Sequence, residues 1–231
     1  MDGRWNRPVI WALRGYAVVG NPAIPIVRGK RGNPNDRFIP QLVDSAKALV
    51  DELVSEGISE NGAIAIDGHS YGTFMTANLL AHTDLFCAGI ARSGAFNRTL
   101  SPFGFQSEER SLWQAPRVYL GMSPFLTASG INEPLLLLHG EEDENPGTYT
   151  MHSERLFHAL NGLGHSARLV ILANEGHTIR GDKSIEHVLW EMERWLELNV
   201  KGKIYPPSKP AISDLNVMNV SEGAAEKSEE N

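Results

Sequence analysis

The chain has one cysteine, Cys87, in 231 residues. No internal disulfide can form, so a secreted disulfide scaffold is excluded and a reducing compartment is natural. Cys87 lies in an apolar stretch, where a buried and inert thiol is expected. There is no Cys-x-x-Cys pair and no His-Glu-x-x-His, hence no motif-grade zinc site. There is no Walker loop, and no cofactor is expected. Gly162-Leu163-Gly164-His165-Ser166-Ala167 has the letters Gly-x-Gly-x-x-Ala, but it precedes a strand candidate. A dinucleotide fingerprint must follow one, so this stretch reads as a helix C-cap and turn. Positive charge is scarce, with 21 Lys and Arg against 28 Asp and Glu and a net charge of −7. That balance argues against a nucleic-acid partner. No apolar run approaches the length of a membrane span, so no membrane partner is expected. Met1-Asp2-Gly3-Arg4-Trp5 has no apolar h-region and is too short and acidic for a transit peptide, so no N-terminal address is expected in the visible chain.

What the chain does have is an ordinary globular composition, 42% hydrophobic and 21% charged. Its length suits one large domain with a buried core. Strand and helix signals alternate. Tyr16–Val19 reads as a short strand, followed by a Pro/Gly-rich loop over 20–40. Gln41–Glu56 is the clearest helix. Leu42, Val43, Ala46, Leu49, Val50, Leu53 and Val54 form one continuous face, ended by Gly57 and Asn61-Gly62. Further strands are expected at Ala63–Ile66, Cys87–Ala91, Leu135–His139 and Arg168–Leu172. Further helices are expected at Thr150–Leu160 and Ser184–Leu198. Leu135–His139 shows no alternation, as a strand buried on both faces should. The pattern predicts an α/β fold, a mainly parallel sheet with helices on both faces. Ser93–Asn132 is long, irregular and aromatic. It reads either as a wall of a site, with short helices of its own, or as surface packing between two strands. From Lys201 the composition turns polar. Residues 1–200 are expected to form the folded domain and 201–231 a disordered tail.

Gly68-His69-Ser70-Tyr71-Gly72 follows the apolar run 63–66 and precedes the helix-prone 74–80. A Gly-x-Ser-x-Gly between a strand and a helix is a nucleophile elbow of the α/β-hydrolase kind. The turn strains the serine backbone and lifts its hydroxyl above the sheet. The glycines are expected to remove Cβ atoms that would clash where strand and helix cross. The helix start behind Ser70 aims free N–H groups at developing negative charge, with the Tyr71 N–H as oxyanion donor.

A serine hydroxyl needs a base, and the base needs an orienting acid. In this fold they follow in the order Ser, Asp or Glu, His, each beyond a later strand. His139-Gly140-Glu141-Glu142-Asp143-Glu144 follows the fourth strand, and Glu175-Gly176-His177 follows the fifth. Asp143 is assigned as acid, with Glu141, Glu142 and Glu144 as competitors that spacing does not separate. His177 is assigned as base. His165 and His187 are worse placed, His139 reads as a structural histidine beneath the acid loop, and His82, His152 and His158 read as helix surface or helix ends.

Residues 68–82 resemble the nucleophile region of the prolyl oligopeptidase family. The resemblance continues through Gly89–Leu100, Pro102–Gln106, His139–Gly147 and Val188–Glu191, and spans roughly 15–198. It implies an α/β-hydrolase fold, with Ser70, Asp143 and His177 at the family's catalytic positions, and a peptide or unfolded-protein substrate. Through the family's plant members it also implies the chloroplast stroma and Glu-selective cleavage. Such selectivity needs a cation, for which Arg92 and Arg98 are the candidates, each of which also reads as a structural or solvated arginine. The family places a β-propeller and the first strands of the hydrolase sheet ahead of the region matched here, together with a tyrosine hydroxyl as second oxyanion donor. Without the strand between Tyr16–Val19 and the elbow strand, a gap inside the sheet is expected. The resulting reading is a serine endopeptidase domain. The alternatives are a small-ester hydrolase or exopeptidase of the same fold, or an inactive fragment.

Overall fold

The computed structural model describes residues 5–30 and 32–202. Four strands form one parallel sheet. They are β1 (Ala65–His69), β2 (Ala88–Arg92), β3 (Leu135–Gly140) and β4 (Ala167–Leu172), side by side in chain order. Gly68 lies opposite Ala91, and Leu138 opposite Val170. Parallel neighbours need long crossovers. Helix α3 (Tyr71–His82) joins β1 to β2, and α5 (Met151–Gly162) joins β3 to β4. Between β2 and β3 run α4 (Pro116–Gly121) and two 3₁₀ turns, Arg98–Leu100 and Pro124–Gly130. Helix α1 (Pro8–Ala12) lies near the N-terminus, α2 (Phe38–Ser55) precedes β1, and α6 (Asp182–Asn199) follows β4.

The pleat divides the apolar residues between two cores. Ala91, Leu135, Leu137 and Leu169 pack with Leu42 and Val50 of α2, Phe74 and Leu80 of α3, and Leu156 and Leu160 of α5. Ala88, Ile90, Leu136, Leu138, Val170 and Leu172 pack with Trp11 of α1 and with Ile185, Val188 and Met192 of α6. Both faces of the sheet are therefore covered. That is why β2 and β3 are buried along their whole length, and why the run Leu135–Leu138 shows no alternation.

Four of the five expected strands and all the expected helices are present, with shifted ends. Helix α2 starts at Phe38 rather than Gln41, because Pro40 falls in its first turn, where no N–H is needed. Strand β1 starts at Ala65 and runs into the elbow. Tyr16–Val19 is not a strand. The Tyr16 N–H instead bonds to the Trp11 carbonyl at 3.1 Å, closing the turn after α1, and Val18 and Val19 are exposed. The β-prone Tyr16, Val18 and Val19 make no ladder without a strand alongside them. The expected internal gap is accordingly absent. The sheet is contiguous and β1 is its edge among the described residues. The segment expected to be irregular, 93–132, does carry short helices. Lys201 and Gly202 apart, the expected tail lies outside the described residues.

Candidate active site

Ser70 sits between β1 and α3 with φ 55° and ψ −115°. A non-glycine residue rarely holds such a conformation, and it costs about 1–3 kcal/mol. Neighbouring contacts enforce it. The Ser70 N–H bonds to the Arg92 carbonyl at 2.9 Å. The Thr73 hydroxyl lies 2.6 Å from the carbonyls of both Gly68 and Arg92, and accepts the Arg92 N–H at 2.8 Å. Thr73 thus ties the first turn of α3 to both β1 and β2. A Cβ on Gly68 would come within 2.2 Å of the Gly72 backbone, so α3 crosses β1 too closely for any side chain there. The second elbow glycine differs from expectation. A Cβ on Gly72 would meet nothing within 4 Å.

The loops after β3 and β4 bring their residues to Ser70. Ser70 Oγ lies 3.0 Å from His177 Nε2, and His177 Nδ1 lies 2.9 Å from Asp143 Oδ2. The two loops touch because position 140 has no side chain. A Cβ there would lie 2.3 Å from the carbonyl oxygens of Glu175 and Gly176. Of the four adjacent carboxylates only Asp143 is buried; Glu141, Glu142 and Glu144 are exposed. Asp143 Oδ2 also accepts hydrogen bonds from His139 Nε2 at 2.9 Å and the Thr148 hydroxyl at 3.0 Å, and Oδ1 accepts the Asn145 N–H at 3.0 Å. Burial pushes the Asp143 carboxyl up. The hydrogen bonds from His139, His177 and the Asn145 N–H outweigh it and hold the group well below the usual carboxylate range. Asp143 therefore stays ionised opposite His177, which fixes the proton of His177 on Nδ1 and leaves Nε2 to accept from Ser70.

His139, expected as a structural histidine beneath the acid loop, is fully buried there and passes the chain on, with Nδ1 2.6 Å from the Ser153 hydroxyl. Other supporting residues carried no sequence signal of this role. Thr148 Oγ1 also lies 3.0 Å from His177 Nδ1. His69 Nε2 donates to the His177 carbonyl at 3.0 Å, pinning the base loop from the elbow side. His152 lies at the start of α5, one of the two places expected for it, but it is buried, and Nδ1 accepts the N–H groups of Phe96 and Asn97 at 3.2 and 3.3 Å. Burial, with the Arg98 charge next in importance, lowers its pKa to about 4.

A cleft of 430 Å³ opens beside Ser70 and Tyr71. Residues 100–106 form one wall and 145–148 another, so part of the irregular segment walls the site. Tyr71 is the first residue of α3, so its N–H has no acceptor within the helix. The two candidate arginines separate. Arg98 lines the cleft. Arg92 does not: it shares the sheet face of Ala88 and Ile90, turned towards α1 and α6. Its guanidinium pairs with Asp67 through Nε at 2.9 Å and Nη2 at 2.8 Å, beneath the Trp5 ring. Of the two readings of Arg92 the structure supports the structural cation and not the substrate-binding one. Among the described residues no group of three or more His, Cys, Asp and Glu side chains is placed to hold a metal ion. Nor is any helix among them long and apolar enough to cross a membrane.

The family model of the prolyl oligopeptidase family matches residues 41–203. The chain belongs to that family. It is 55% identical over 190 residues to the probable glutamyl endopeptidase, chloroplastic, of Arabidopsis thaliana, and 54% identical over 191 residues to the protein of that name in Oryza sativa subsp. japonica. Each match covers 82% of this chain and 20% of the relative, so the chain spans about a fifth of the length of these curated relatives. The fold matches that of Pyrococcus horikoshii acylaminoacyl peptidase with a TM-score of 0.63 at 24% identity, over 75% of this chain and 30% of that one. A Mycobacterium tuberculosis puromycin-hydrolyzing peptidase gives 0.62 at 25% identity, over 69% of this chain and 25% of that one. The four-stranded parallel sheet is thus part of an α/β-hydrolase fold.

Proposed function

We propose that this chain is the catalytic region of a serine peptidase that hydrolyses peptide bonds through Ser70, His177 and Asp143. The unbroken hydrogen-bonded line from Ser70 Oγ to His177 to Asp143, with steps of 3.0 and 2.9 Å, carries the reading. Ser70 Oγ attacks the scissile carbonyl carbon while its proton passes to His177 Nε2. Asp143 holds the Nδ1–H and stabilises the imidazolium that forms. The Tyr71 N–H donates to the oxyanion. The tetrahedral intermediate collapses when His177 returns the proton to the leaving amine, giving an acyl-enzyme at Ser70. A water, deprotonated by His177, then releases the acid and restores the serine.

The names of the plant relatives support two finer parts of the proposal. These are a preference for glutamyl bonds and residence in the chloroplast, the stroma being the compartment we expect. Co-fractionation of the native protein with isolated plastids checks the second. The central reading is tested with a fluorophosphonate probe, which phosphonylates an activated serine. The full chain is expected to label and Ser70→Ala not to label. A folded chain that stays unlabelled overturns the reading.

A further inference from the structure

Arg98 is an unusual cation. It is 3% exposed, yet no described carboxylate pairs with it and its Nε is buried without a hydrogen-bond partner. Glu108, joined to Phe105 by backbone hydrogen bonds, is buried but taken by Arg110 through Nε at 2.7 Å and Nη2 at 2.8 Å. Of the nearby titratable side chains, His152 uses Nδ1 to accept backbone N–H groups, and the Tyr71 and Tyr119 phenols are pushed up by burial, so none offers a negative charge. Three aromatic rings hold the Arg98 guanidinium instead. Its carbon lies 4.1 Å from the Phe74 ring centre, 4.6 Å from Phe105 and 5.9 Å from Tyr71. Rings stabilise the faces of a guanidinium and take none of its five N–H donors, which lie in its plane. The backbone is fixed too, because the Arg98 N–H bonds to the Ser123 hydroxyl at 2.8 Å. Among the described residues lining the cleft beside Ser70, Arg98 alone is charged.

Resting on the serine-peptidase reading of this cleft, we propose that Arg98 is its anion acceptor. The guanidinium takes a substrate carboxylate while Ser70 attacks a carbonyl of the same molecule. A planar fork of donors, held in place and free of anions, is the arrangement that binds a carboxylate with two parallel hydrogen bonds. Because Tyr71 packs on Arg98 through its ring and supplies its N–H to the oxyanion, one residue sets the spacing between the two substrate groups. The carboxylate has two possible sources. One is an acidic side chain beside the scissile bond. The other is the free C-terminus of a short peptide.

Titration calorimetry of the full chain with glutarate, and with glutaramide as its uncharged counterpart, tests the site without any turnover. Glutarate is expected to bind about 10-fold or more tightly than glutaramide. Arg98→Met should abolish the difference and Arg98→Lys should keep part of it. Equal binding of the two ligands to the wild-type chain overturns the proposal, and so does a difference that survives Arg98→Met. Fluorogenic peptides then identify the source, comparing Glu with Gln before the scissile bond and a free with an amidated C-terminus. A preference of about 10²-fold in one arm, lost in Arg98→Met, assigns that carboxylate. No preference in either arm overturns the proposal. Glutarate binding without fluorophosphonate labelling overturns the peptidase reading and leaves Arg98 standing as an anion site.

Discussion

A proton that the folded chain refuses makes His152 a pH sensor of stability. Its pKa falls from 6.5 to about 4 because the ring is buried and lies near the Arg98 charge. The unfolded chain takes up the proton below about pH 6.5 and the folded chain does not, so stability is complete above that value and declines as pH falls towards 4. The full window is worth about 3 kcal/mol at 1.36 kcal/mol per pKa unit. Asp143 works lower, losing its contribution only as pH drops below the ordinary carboxylate range. Urea unfolding at pH 7 and pH 4.5 should show a smaller loss for His152→Gln than for the wild-type chain. At this scale the positions of Ser70 and His177, which meet at 3.0 Å, were legible, since each follows a strand at its carboxyl end; that Asp143 rather than a neighbouring glutamate faces His177 was not decided by spacing. The roles of the two arginines were not legible. Whether a cation faces a carboxylate or a cleft depends on pleat parity and on residues distant in sequence. Arg92 meets Asp67 across the sheet, whereas Arg98 turns towards the rings of α3. His152 escaped for a similar reason, because the buried face of α5 is decided by what lies above it.

Elements meet at two glycines with opposite demands. Gly140 lets the β3 loop lie against the β4 loop, with 2.3 Å between a would-be Cβ and two carbonyl oxygens. Gly140→Ala should push the acid loop from the base loop. Fluorophosphonate labelling should slow by about 10²-fold, as expected when a positioned group shifts by about 1 Å. Gly72→Ala meets open space and adds helix propensity, so labelling and melting temperature should stay close to wild type or rise. Slow labelling by Gly72→Ala, or normal labelling by Gly140→Ala, would contradict this account. The elements themselves were legible where burial is two-sided, as in the run Leu135–Leu138. Tyr16–Val19 misled because an apolar tetrapeptide looks the same with or without a neighbouring strand. The start of α2 was hidden by Pro40, which reads as loop until the helix is seen to contain it in its first turn.

For the whole molecule, the alternation of strand and helix was enough to indicate a parallel sheet covered on both faces, and the two cores follow from it. The number of strands was not legible, since a ladder is a relation between segments. Net stability in such a domain is on the order of 5–15 kcal/mol, so single costs weigh heavily. The Ser70 backbone, at φ 55° and ψ −115°, is one such cost. Ser70→Ala and Ser70→Gly both remove the hydroxyl, but only glycine adopts these angles without strain. The glycine variant should therefore unfold about 1 kcal/mol later, melting about 2–4 °C above the alanine variant. Calorimetric scans of the two proteins decide this. On the serine-peptidase proposal, selection for a durable fold and selection for turnover thus pull this position in opposite directions. In a lineage freed from the need to hydrolyse anything, drift should replace Ser70 with glycine early, and the gene would then record its lost occupation in a more robust protein.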